Sequence, residues 1–341
     1  MRTISTRLGV GVAAACLVAL GTAVPAAAAA PVRTPAADRA MSCPAAVNPV
    51  AATAGRTAAA GPAFAPGGLF GMAASRHATW LTTVSCRRTG IRHVARLGQA
   101  GANAMTNGLV STNWSGYQVS RPANYSQAGW TVPAVRRPVP GYSSIGYYSS
   151  TWAGIGGGFN AGNGALIQAG TTQDVSSTGA TTYYAWYEIV GGTGDTGSEV
   201  RITNLPIHPG DAVGGVGLWT ATGAQAGVCN FTLNTCVSFT LPSSAPGRTA
   251  EWIVEAPSSG GILPLANFGS VPFVNACWAP TFVTGGPCSS IAAGGAQPIS
   301  LQANVLGGWQ TLAIPRALTA NGGGFIDDYY QPVRQDPCPT C

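Results

Sequence analysis

From Gly108 onward the sequence predicts an all-β domain, and three observations carry that reading. Short runs rich in Val, Ile, Thr, Trp and Tyr recur along residues 109–341. Gly, Pro, Ser and Asn punctuate them, with a turn signal about every 8–15 residues. No run in this half holds a helical period. Together these features argue for an antiparallel sandwich or barrel rather than a helical or α/β fold.

The elements follow in chain order. MRTISTR supplies positive charge, LGVGVAAACLVAL a short apolar core, and GTAVPAAAAA small-residue cleavage sites. Residues 1–30 therefore read as a secretory signal peptide. The apolar core is too short to span a bilayer, and no later run reaches about 18 apolar residues. The expectation is a secreted, extracellular protein with no membrane association after export. Residues 31–108, rich in Ala, Pro and Gly, read as a basic prosegment, with a short basic helix expected in TTVSCRRTGIRHVARLGQA. The body, 109–341, then presents NWSGYQV, AGWTVPAV, SSTWAGIGG, GALIQAGTTQ, YYAWYEIV, SEVRITNL, AVGGVGLWT, CVSFTL, TAEWIVEA, ANFGSVPFVNA, PISLQAN and WQTLAI as strand candidates.

Charge divides along the same boundary. Residues 1–108 hold ten arginines and one acid, a net of +9, while 109–341 hold seven arginines and ten acids, a net of −3. A basic leader on a mildly acidic body gives no footprint for nucleic acid and suggests two parts that attract each other. Beyond Cys16, eight cysteines remain, an even number that suits disulfides in an oxidising compartment. Sequential pairing is the simplest expectation. No spacing makes a zinc site, since the CxxC at Cys338 and Cys341 has no second half. No metal or other cofactor is expected.

The inventory limits the chemistry. There is no lysine, which excludes Schiff-base and Ser-Lys mechanisms. Of three histidines, His77 and His93 fall in the prosegment and His208 in the turn IHPGD, leaving little for a His-based triad. Oxidised cysteines are poor nucleophiles, and IGGGFNAGNG is too irregular for a phosphate cradle. An enzyme built on this body must move protons with carboxylates. Most acids lie in turns or near the C-terminus, but Glu188 and Glu251 lie inside strand runs. Alternation puts Tyr184, Trp186 and Glu188 on one face of YYAWYEIV. It puts Glu251, Ile253 and Glu255 on one face of TAEWIVEA, opposite Trp252 and Val254. On a concave face beside Trp and Tyr, such a carboxyl is desolvated and its pKa raised. Alone, either glutamate also reads as a solvated residue of an outer face.

The order NWSGYQV, AGWTVP, SSTWAGIGG, ALIQAGT, YYAWYEI, IHPGDAV, TAEWIVEAP, ANFGSVPFVNA resembles the glutamic peptidases (eqolisins, peptidase G1), in the style of a secreted actinomycete member. The resemblance covers about residues 109–280 and implies a two-sheet antiparallel sandwich of the concanavalin-like jelly-roll type. It implies a catalytic pair of Gln168 and Glu251, with Trp152, Trp186 and Glu188 flanking it as substrate-binding support. Where fungal members carry aspartates, this chain has Gly156 and Tyr184, which thins the acidic surroundings. Glu255 is read as a structural or surface carboxylate. The implied activity is acid-acting endopeptidase cleavage of a protein or peptide substrate by a monomer, with the prosegment as intramolecular inhibitor. Two alternatives stand beside it. One is a glycoside hydrolase using Glu188 and Glu251; the other is a carbohydrate-binding module.

Overall fold

Each of the twelve runs named above becomes a strand, because β-branched and aromatic side chains suit a pleated surface packed on both faces. The computed structural model describes residues 39–44, 46, 76–96, 108–281 and 288–334. The expected signal peptide, much of the expected prosegment, and Cys338 and Cys341 lie outside the described residues. In the leader half the strands are β1 (Arg39–Met41), β2 (Thr79–Trp80) and β3 (Cys86–Arg88). The body begins with β4 (Leu109–Ser111), β5 (Trp114–Val119), β6 (Tyr125–Thr131), β7 (Tyr147–Ile155), β8 (Leu166–Val175) and β9 (Thr181–Val190). It continues with β10 (Val200–Ile202), β11 (Ala212–Thr220), β12 (Gly223–Asn230), β13 (Thr235–Leu241) and β14 (Ala250–Glu255). It closes with β15 (Ser270–Ala279), β16 (Ser289–Ser290), β17 (Gln297–Val305), β18 (Gly308–Pro315) and β19 (Phe325–Tyr329). Among the described residues there is no α-helix, only a 3-10 turn at Ala292–Gly294. In the body, strands β4, β12, β16 and β19 were not anticipated; Gly and Ala in β12 and acids in β19 hide their alternation.

The ladder folds into two layers. One runs β10–β9–β8–β7–β14–β5–β17, all antiparallel. The other runs β13–β12–β11–β6–β15–β19, and β18 joins β19 back to β17. Side chains between the layers form the main core, which includes Ile155, Ile167, Tyr187, Ile189, Val213, Val228, Phe239 and Trp252. Two indole N–H groups stitch it: Trp130 Nε1 donates to Thr171 Oγ1 at 3.0 Å, and Trp252 Nε1 to the Gln127 carbonyl at 2.7 Å. Gly215 and Gly217 let the layers approach, since a Cβ on either would lie 2.4 Å from a β8 carbonyl. The all-β sandwich expected from the sequence is the architecture found.

Three disulfides join neighbours in the order of the chain: Cys43–Cys86, Cys229–Cys236 and Cys277–Cys288. Such bonds are typical of extracellular proteins.

The leader half departs from expectation. Instead of a basic helix, residues 76–96 form short strands and extended chain. β3 adds to the free edge of β10, pairing Arg88, Arg87 and Cys86 with Val200, Arg201 and Ile202. An unpaired strand edge offers a row of donors and acceptors that a helix cannot satisfy, and tertiary pairing overrides local helix preference.

Candidate active site

The first layer has a second buried face, turned away from the main core. Its side chains include Trp114, Trp152, Phe159, Tyr184, Trp186 and Ile253. Directly paired residues of antiparallel strands share a face, and the register places Glu188 opposite Gln168, Gln168 opposite Gly154, and Gly154 opposite Glu251. Four adjacent strands thus contribute one row: Glu188, Gln168, Gly154, Glu251. The alternation read from the sequence holds, with Trp252 and Val254 in the main core and Ile253 in the cleft cluster. Gly154 leaves an opening over which Gln168 and Glu251 face each other. A Cβ there would lie 3.0 Å from both Gln168 Cβ and the Ile167 carbonyl.

Glu251 is fully buried, and the Gly158 N–H donates to its Oε1 at 2.8 Å. The loop after β7 is clamped alongside, with Phe159 N–H donating to Gln118 Oε1 at 2.9 Å. The glycine run IGGGFN, dismissed as a phosphate cradle, wraps a carboxylate instead. Burial pushes the Glu251 carboxyl up to about 7, against lowering hydrogen bonds from Thr249 and the amides of Gly158 and Gly157. Among the described residues Glu251 Oε2 and Gln168 Oε1 have no hydrogen-bond partner.

Gln168 contacts Glu188, its Nε2 donating to Glu188 Oε2 at 3.2 Å. The side chains of the expected pair, Gln168 and Glu251, are not themselves hydrogen-bonded; they stand two strands apart across Gly154. Burial also pushes Glu188 up to about 8, even though the His93 charge and N–H and the Arg92 charge pull it down.

A strap crosses this face. Leaving β3, it takes Thr89 N–H to the Glu199 carbonyl at 3.4 Å and returns the Ile91 carbonyl to Glu199 N–H at 2.7 Å. Arg92 exchanges both backbone hydrogen bonds with Ser258, just beyond β14. Arg92 Nε lies 3.4 Å from Glu188 Oε1, and its Nη2 3.1 Å from Asp195 Oδ1. Next, the His93 N–H donates to Glu188 Oε2 at 2.9 Å, and the His93 carbonyl accepts from Gln168 Nε2 at 3.0 Å. Asn113, just before β5, receives the far end. Its Nδ2 donates to the Val94 carbonyl at 2.9 Å, and its Oδ1 accepts from Arg96 N–H at 2.9 Å.

The His93 ring is fully buried and stacks on Trp186, with centroids 3.9 Å apart and planes 5° from parallel. Its Nε2 is 2.7 Å from Glu199 Oε2 and its Nδ1 3.1 Å from Glu255 Oε2. Each carboxylate is held by other donors. Tyr184 OH donates to Glu199 Oε1 at 2.6 Å, while Trp152 Nε1 and Asn113 Nδ2 donate to Glu255, both at 2.9 Å. Burial lowers the tendency of His93 to hold a proton, but the Glu255 charge and hydrogen bonds to Glu199 and Glu255 overcome this and raise its pKa to about 10.

Of the two readings of Glu255, structural or surface carboxylate, the structural one holds: it is fully buried and ties together Asn113, Trp152 and His93. His93 was set aside for lying in the leader, yet its ring occupies the cleft. Neither Glu199 nor Asn113 was read as a site residue. Asn113 had one visible signal, its place in NWSGYQV; Glu199 sits in the β-rich run SEVRI. The cleft is more acidic than the loss of two family aspartates implied.

Among family models, the one described as the Peptidase A4 family matches residues 112–305, more than half of the chain. The chain belongs to the peptidase A4 family. That membership covers the row of Gln168, Gly154 and Glu251 together with Asn113, Trp152, Trp186 and Glu188, and it supports a hydrolase acting on peptides. No curated protein matches. Two solved structures are similar to this peptidase A4 family chain. The enzymatically active domain of bacteriophage CBA120 tailspike protein 2 has 14% identity and a TM-score of 0.25, covering 57% of this chain and 27% of that one. Full-length tailspike protein 2 from Escherichia coli O157:H7 bacteriophage CAB120 has 14% identity and a TM-score of 0.24, covering 57% and 24%. The chain thus spans about a quarter of the tailspike chains' length, and a likeness at these TM-scores carries no inference about activity.

Proposed function

We propose that this protein is a secreted glutamic endopeptidase, of the actinomycete style, that cleaves peptide bonds with Gln168 and Glu251. One observation carries the reading: Gln168 Nε2 already donates to a backbone carbonyl, that of His93, in a peptide laid along the carboxylate-lined cleft. A main-chain carbonyl on a fixed neutral amide is the ground-state counterpart of an oxyanion on its donor.

In the reaction, the Glu251 carboxylate takes a proton from a water molecule whose oxygen attacks the scissile carbonyl carbon. The developing oxyanion accepts from Gln168 Nε2, whose orientation Glu188 sets. When the C–N bond breaks, the departing amine receives the proton from Glu251, and the carboxylate is restored. Glutamine suits this post because it remains neutral and keeps an N–H at any pH. Desolvation is the main cause of the raised Glu251 pKa, so water entering an open cleft brings it down and extends activity into acid. The acid limb of kcat/KM then reads the ionisation of Glu251.

Residues 31–108 serve as the prosegment in this reading, with the strap as its inhibitory element. Arg92 and His93 bring positive charge among Asp195, Glu199 and Glu255. Acid that protonates Asp195 removes the charge paired with Arg92 and so loosens the strap.

The rivals fit less well. A glycosidase needs its two carboxyl groups about 5–9.5 Å apart. The register sets Glu188 and Glu251 three strands apart, about 14 Å of backbone, with Gln168 between them. A carbohydrate-binding module gives Glu251 no role as a base, and its binding would survive Glu251→Gln.

The deciding experiment is proteolysis of a denatured protein across acid pH, with pepstatin present as a control. Wild type cleaves despite pepstatin, while Gln168→Ala and Glu251→Gln do not. Full activity in either variant, or cleavage only of glycosidic bonds, sinks the reading.

A further inference from the structure

The strap shows what the cleft accepts beside the carbonyl. The residue whose carbonyl rests on Gln168 is His93, and its side chain enters a closed pocket. The pocket has one aromatic wall, Trp186, stacked on the ring, and two carboxylates, Glu199 and Glu255, one at each ring nitrogen. Both carboxylates are fixed from behind by Tyr184, Asn113 and Trp152. A ring with an N–H at both nitrogens is an imidazolium, so these acceptors suit a planar cation. An aliphatic side chain in that space leaves two carboxyl groups without their donors.

From this we infer that the His93 pocket is the enzyme's own specificity site, selecting a planar cationic side chain on the residue whose carbonyl is attacked. The inference rests on the peptidase reading above, because only there does the carbonyl on Gln168 mark the bond to be cut. Histidine fits best, since an imidazolium spans both carboxylates while stacked on Trp186. Arginine, planar and rich in N–H groups, follows. Lysine offers a point charge with no face to stack, and leucine offers nothing to the carboxylates.

The test has two arms, both on the full-length protein. In the first, the acid-treated protein is given otherwise identical peptides with His, Arg, Lys or Leu before one cleavable bond. The expected kcat/KM favours His over Leu by about tenfold or more. Glu199→Gln and Glu255→Gln should each shrink that His-to-Leu ratio. Cleavage with a flat profile, or a ratio indifferent to both substitutions, overturns the specificity site and leaves the peptidase reading standing. No cleavage of any peptide by any form overturns the peptidase reading, and the specificity site with it. The second arm needs no activity: free imidazole is titrated onto His93→Ala and thermal stability is followed. Imidazole should raise the melting temperature of His93→Ala and leave wild type and the Glu199→Gln, His93→Ala double variant unmoved. Equal shifts in all three, or none in His93→Ala, overturn the pocket's assignment as a cation site. If His93→Ala does not fold, the ratios from Glu199→Gln and Glu255→Gln decide.

Discussion

The two faces of β14 are equally hidden from solvent and built on opposite principles. Trp252 and Val254 point into the interlayer core, and Glu251 and Glu255 point into the cleft; all four are fully buried. On the core side, burial is apolar and the one polar atom of Trp252 is bonded to the Gln127 carbonyl. On the cleft side, among the described residues Glu251 Oε2 and Gln168 Oε1 stay unpartnered, and burial holds carboxyls protonated well above their ordinary range. Burial alone therefore does not mark a core. The core face converts burial into stability, whereas the cleft face holds groups whose desolvation is costly and chemically useful.

Substitutions on the two sides should separate these roles. The largest contrast is expected within β14 itself. Trp252→Ala should cost about 3–5 kcal/mol of stability and leave little folded protein, as read by chemical denaturation. Glu251→Gln should leave the melting temperature at neutral pH unchanged or higher, while peptide cleavage falls below detection. A stable Trp252→Ala, or an active Glu251→Gln, breaks the contrast. Next, Gln168→Ala should lower kcat about 10²–10³-fold with KM little changed, the loss of one oxyanion donor. An effect confined to KM removes glutamine from that role. Smaller again, Gly154→Ala should cost about tenfold in kcat/KM, because its Cβ crowds Gln168 Cβ and the Ile167 carbonyl at 3.0 Å.

The pH dependence of stability sharpens the same comparison. Glu251 and Glu188 have folded pKa values raised to about 7 and about 8. A carboxyl so raised favours the folded state when protonated; that contribution is full below about 4.5 and is lost as pH rises through those values. His93 is raised from 6.5 to about 10, so its contribution is full below 6.5 and is lost as pH rises through 10. All three act in one direction. The melting temperature of the full-length protein should fall steadily between about pH 4.5 and pH 10. In His93→Gln the alkaline part of that fall should vanish, and a slope unchanged by the substitution removes His93 as its source. A smaller stability effect than that of Trp252→Ala is expected for Tyr184→Phe, about 2 kcal/mol for the hydrogen bond to the buried Glu199 carboxylate. It should show as a modest drop in melting temperature.

Part of this site was readable from residue order. The two-residue alternation of TAEWIVEA already set Glu251 and Glu255 against Trp252 and Val254, because a strand's period is a local property. The absence of lysine left carboxylates to do the proton work. The family resemblance supplied Gln168, and the register then placed it one glycine away from Glu251. The glycine loop after β7 was rightly not read as a phosphate cradle, but its role stayed hidden, since a run of glycines does not say which group its amides will meet.

Sequence by itself determined most of the body's strands and their faces, offered sequential disulfide pairing as the simplest guess, and excluded lysine-based chemistry, all of which depend on local pattern or composition. Tertiary structure alone decided that His93 enters the cleft, that Glu199 and Glu255 grip opposite sides of its ring, and that Asn113 closes the far end. Those partners lie 106, 162 and, between Asn113 and Glu255, 142 residues apart. The physical reason is that such meetings depend on sheet order and on an open edge at β10 to which β3 can add. No short-range propensity encodes either. The basic run around His93 looked helical on its own, and the β10 edge made it a strap.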